Sequence, residues 1–95
     1  MDLATLLTML KVDLGIKQTT AYDQRLEQVL SSAIRDIQKA GASDLDASAN
    51  PADAQLVVMY AAWLWRKRDT MEGMPRMVRY ALNNRVFSTV AKVGS

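Results

Sequence analysis

Ten consecutive apolar residues, Leu56-Val57-Val58-Met59-Tyr60-Ala61-Ala62-Trp63-Leu64-Trp65, constrain the fold of this chain more than any other feature. A helix on the surface of a small domain keeps one polar face, and this run leaves none. A helix formed here has to be covered nearly all round. The two tryptophans sharpen the requirement, because residues two apart on a helix lie ~200° apart and no single core stripe takes both indoles. Either the neighbouring helices wrap the run within one subunit, or one indole packs inside and the other sits at a subunit interface, where tryptophan is enriched among energetic anchors. The run would be only ~15 Å long as a helix, about half a bilayer core, so it reads as a buried helix and not as a membrane span.

The flanking sequence supplies the covering elements. Asp2 can cap a first helix with Leu3, Leu6, Leu7 and Leu10 at helical spacing, and Gly15 offers the left-handed residue that commonly ends one. Thr20 with Asp23 three residues on resembles a capping box, opening a second helix whose stripe is Tyr22, Leu26, Val29, Leu30, Ala33, Ile34 and Ile37 and which ends near Gly41. Residues 42–50 are small and polar, a connector within one domain. Asn50 as cap, Pro51 at the first helical position and Asp53 in the first turn start the third helix, expected to run to about Asp69. Pro75 can start a fourth helix with Met77, Val78, Ala81 and Leu82, ending around Asn83 or Asn84. The remaining residues 86–95 are rich in β-branched side chains but have no clean period, so they are expected to form an irregular or extended arm. The expected fold is one all-α domain over residues 1–95, a small bundle of about four helices with a C-terminal arm.

With 95 residues, 49% of them hydrophobic, such a domain buries roughly 60–65% of its unfolded surface. Partner subunits would add to that modest stability by mass action, so self-association is expected. Histidine and cysteine are both absent, which removes the commonest general base, the thiolate nucleophile and the usual zinc ligands. Asp44-Leu45-Asp46-Ala47-Ser48 begins like a calcium loop. Ala49, however, replaces its glycine and Gln55 its closing glutamate, so these acids read as solvated loop residues. The glycines at 15, 41, 73 and 94 are too scattered to cradle a phosphate. No enzymatic activity, cofactor or metal is expected, and nothing near the N-terminus has the pattern of a secretion signal.

Charge is nearly balanced at +2, yet unevenly spread: residues 1–49 are net −2 and residues 50–95 net +4. That asymmetry suits head-to-tail contacts between subunits as well as a nearby polyanion. Arg66-Lys67-Arg68 splays around a helix axis, where its cations complement the C-terminal end of the macrodipole. Arg76 and Arg79, three residues apart, share one face and are candidates for contact with phosphate or with a neighbouring subunit's carboxylate. Met71, Met74 and Met77 surround the turn before the fourth helix, where methionine either fills core gaps or forms an adaptable docking surface. With Trp63 and Trp65 they make up the candidate subunit or partner interface.

The order of elements resembles a known family. A short leucine-rich helix precedes Tyr22-Asp23-Gln24-Arg25-Leu26-Glu27-Gln28-Val29-Leu30-Ser31-Ser32-Ala33-Ile34-Arg35-Asp36-Ile37. Pro51 then leads a helix bearing Ala and Trp, and Met74-Pro75-Arg76-Met77-Val78-Arg79-Tyr80-Ala81-Leu82-Asn83-Asn84-Arg85 closes the pattern. Over residues 2–87 this is similar to the head-tail connector (adaptor, or head-completion) proteins of long-tailed bacteriophages. It departs from them in lacking an acidic pair after the first turn of helix one and in closing on Phe87 in place of a tyrosine beside arginine. The resemblance implies a non-enzymatic virion protein at the head-tail interface, assembled in the host cytoplasm. It further implies a homo-oligomeric ring of about a dozen copies, a portal protein on one side, a neck or tail-completion protein on the other, and transient non-specific contact with packaged DNA. A small helical DNA-binding protein, of helix-turn-helix or small-terminase type, is the alternative.

Overall fold

A computed structural model describes residues 2–67 and 73–94, the last two by backbone alone. Asp2 caps α1 (Leu3–Leu14) by accepting the Thr5 backbone N–H at 2.9 Å, and the terminating Gly15 has φ 72°. Helix α2 (Asp23–Ala40) begins at Tyr22 with no side-chain cap. The capping box expected from Thr20 does not form, because the preceding turn takes Thr19, whose hydroxyl accepts the Ala21 N–H. Asn50 caps α3 (Pro51–Lys67), accepting the Ala52 N–H at 2.9 Å and the Asp53 N–H at 3.4 Å. The third helix is described to Lys67, so its expected last turn, with Arg68 and Asp69, lies outside the described residues.

Around α3 the other helices form the shell its sequence requires. Leu6 and Leu10 of α1 and Leu26, Leu30, Ala33 and Ile37 of α2 are buried against Val57, Ala61 and their neighbours. Both indoles are covered within the subunit, Trp63 being 9% and Trp65 8% exposed. Tyr22, expected in the buried stripe of α2, lies exposed with its ring edge-on to Trp65 at 5.6 Å between centroids. Trp63 meets Tyr60 edge-on at 5.4 Å and donates its indole N–H to the Gly73 carbonyl at 3.1 Å. The Lys67 ammonium sits 4.3 Å from its ring centroid, so one cation of the basic triad is used within the subunit. The expectation that one tryptophan is left for a partner is therefore corrected: a tyrosine and a lysine close the two sides that the bundle leaves open.

A second correction concerns the C-terminus. Helix α4 runs from Arg76 to Gly94, some ten residues past Asn84, and there is no separate arm among the described residues. Among the described side chains it contributes only Val78 fully to the core, with Ala81, Leu82 and Val86 partly buried. The Cα envelope of 46 × 30 × 17 Å is two helix layers thick at 8–10 Å spacing, with α4 on its rim. No described helix is long and apolar enough to cross a membrane.

Candidate functional site

Four apolar side chains on one edge are little to hold a helix ~28 Å long, and the rest of the attachment is polar. Asn50 orients the first turn of α3 so that Asp53 points inward, where its side chain is only 3% exposed. Arg85, near the middle of α4, donates from Nε to Asp53 Oδ1 at 2.7 Å and from Nη2 to Oδ2 at 3.3 Å. The Asp46 backbone N–H completes that carboxylate at 3.0 Å. Arg85 also reaches Asp44 Oδ1 at 3.0 Å and donates to the Thr89 hydroxyl at 2.8 Å. Thr89 in turn donates to Asp44, and Lys92 lies 3.4 Å from the other Asp44 oxygen.

Arg85, Thr89 and Lys92 follow one another at spacings of four and three residues, so they form a single polar edge of α4 facing the loop that carries Asp44 and Asp46. The bond from Thr89, helped by Arg85, holds the Asp44 carboxyl down to about 2. The Arg85 guanidinium is pushed above its ordinary value, chiefly by its bonds to Asp53. Asp46 is lowered by its bonds from Ser48. Asp44 and Asp46 are exposed loop acids, as expected from the sequence, yet both are bonded: one anchors a helix and the other closes its own turn.

Among the described residues, the opposite face of α4 meets no partner. Arg76 and Arg79 stand together there with Tyr80 and Asn83 around a shallow concavity. Met77, Phe87 and Val90 are exposed nearby, while Met74 is half-buried against the core. Met71 lies outside the described residues. The described part of the interface set expected from the sequence is therefore divided: Trp63 and Trp65 are interior, Met74 is partly so, and Met77 joins the arginines on the open face. Helix α4 contains four cations and no acid. With Arg85 and Lys92 paired with the two aspartates, Arg76 and Arg79 are the cations of α4 that meet no acid among the described residues.

No protein-family model, no curated protein and no solved structure matches the chain. Chemically, the described residues offer a surface and a means of holding it still. Among them no group of three acids is placed to hold a metal, and the buried polar cluster is spent on internal pairing. Sequence reasoning noted Asp53 only as a first-turn acid and passed over Arg85 and Thr89. The only signal for the cluster was the Arg85, Thr89, Lys92 spacing within a stretch otherwise without period.

Proposed function

We propose that the chain is a structural virion protein, one subunit of a ring-shaped head-tail connector of a tailed bacteriophage. It would dock beneath the portal, extend the DNA channel and offer a platform for the neck or tail. The observation that carries the reading is the exposed, acid-free face of α4, held rigidly at the rim of the bundle by Arg85. The order of elements described above supports it. Assembly, not turnover, is the mechanism: a rigid edge presents the same residues in every copy, as a closed ring of head-to-tail contacts demands. A nearly neutral subunit suits passage of DNA, because each neutralised phosphate adds salt-dependent affinity that would impede sliding.

The test is the mass of the protein with a portal ring, by native mass spectrometry and negative-stain imaging. Closed rings seated on the portal are the expected result; a chain that neither binds the portal nor forms rings would refute the reading. A DNA-binding function is the second reading, favoured by the grouping of Arg76, Arg79 and Asn83. It predicts binding of one sequence at least about 1000-fold above background, whereas a connector shows only weak, salt-sensitive binding.

A further inference from the structure

The exposed face of α4 is arranged symmetrically along the helix. Its large apolar side chains are Met77, Tyr80, Phe87 and Val90, exposed by 75%, 63%, 72% and 59%. Tyr80 and Phe87, seven residues apart, lie within about 20° of one line. Met77 and Val90 sit about 70° to either side of it, and Asn83 and Asn84 about 50° to either side. Reading outward from the point between Asn83 and Asn84, the order is asparagine, aromatic, aliphatic in both directions.

We infer that this face pairs with the same face of a second copy, the two α4 helices running antiparallel about a two-fold axis between Asn83 and Asn84. Tyr80 of each copy then lies level with Phe87 of the other, and Met77 level with Val90. The shallow groove formed by Ala40, Leu82, Asn83, Val86, Phe87 and Val90, apolar but for the asparagine, receives the opposing tyrosine. Charge favours this direction over the parallel one. Arg76 and Arg79 occupy the first turn of α4, where the macrodipole is positive and the turn itself carries no acid. Antiparallel pairing sets them against the C-terminal, negative end of the opposing helix; parallel pairing sets arginine against arginine. The two aromatics offer on the order of 300 Å² per copy, which with Met77, Val90 and the arginine stems stays below the ~800 Å² of a standard interface. The pair is thus weak and exchanges with single chains at micromolar concentrations. It concerns the free protein and stands whether or not the connector reading holds. A ring closes through two different patches, so a subunit entering one frees the α4 face from this pair.

The chain has no cysteine, which makes single-cysteine variants clean reporters of register. Under mild oxidation Asn83→Cys forms a disulfide-linked pair, because the axis brings the two copies of position 83 together, while Arg76→Cys, far from the axis, stays unlinked. Sedimentation from roughly 10 μM to 1 mM shows the mass of the unmodified protein rising from 10.6 kDa towards twice that. Phe87→Ser, exposed and outside the core, holds it at one chain. A single chain throughout the range would overturn the inference, and so would equal linking at positions 76 and 83, or a two-chain species in which Asn83→Cys fails to link. Portal binding is read separately, so failure of the pair and failure of the connector reading are told apart.

Discussion

Replacing Arg85 by methionine removes the one group that joins α4 to both Asp53 and Asp44 while keeping its apolar stem. The Asp53 side chain is 3% exposed and that of Arg85 14%, so the pair is sheltered. Breaking a buried pair from one side costs about 3–5 kcal/mol, mostly for stranding the remaining charge. Here Asp53 keeps the Asp46 N–H, which puts the loss at the low end, about 3 kcal/mol. For a 95-residue domain worth roughly 5–14 kcal/mol, that is a large fraction. At about 4–8 °C per kcal/mol, the melting temperature followed by circular dichroism at pH 7 should fall by about 12–24 °C. Amide exchange should rise first along α4, because its apolar hold is thin, while α2 stays protected. A companion Asp53→Leu removes the stranded carboxylate, so the double variant should recover more than half of the loss. A loss under about 1 kcal/mol, or strictly additive single effects, would refute a sheltered clasp.

Other outcomes follow from the same geometry. The Asp44 carboxyl is depressed from 3.8 to about 2, so its contribution is present above pH 3.8 and disappears as pH falls through about 2. Melting temperature should therefore drop between pH 4 and 2, and less so in Asp44→Asn. At Gly41, with φ 134°, an added Cβ would stand 2.7 Å from Val86 Cγ1; Gly41→Ala should cost about 1–3 kcal/mol in urea unfolding, only partly restored by adding Val86→Ala. Asn50→Ala should cost about 1 kcal/mol by losing the α3 cap, with no change in self-association.

Local chemistry was the legible part of this fold. Asp2, Gly15, Gly41, Asn50 and Pro51 mark helix ends within a few residues of themselves, and the leucine stripes of α1 and α2 repeat at helical spacing. The apolar run correctly demanded a covered α3. Which groups cover it was not legible, because Tyr22 reads as a buried member of the α2 stripe and Lys67 as one of three splayed cations, whereas both cover the indoles from helix ends. The tail was misjudged for a related reason. Val86, Thr89 and Val90 are poor helix formers without apolar period, and what stabilises them as helix is a polar pairing 45 residues away, between Thr89 and Asp44. Periodicity has no means of registering such a partner. Arg76 and Arg79 were correctly placed on a shared face, but the exposed Tyr80, Phe87 and Val90 beside them emerge only once α4 continues past Asn84.

Because α1, α2 and α3 supply most of the buried core and α4 lends it chiefly Val78, the outward residues of α4 are nearly invisible to selection for foldability. Substitutions at positions 76, 77, 80, 83, 87 and 90 can accumulate without loss of the fold. Lineages descending from one ancestral bundle could thus acquire different contact surfaces while Asp44, Asp53 and Arg85 persist, and a screen for expression alone would score all of them as equals.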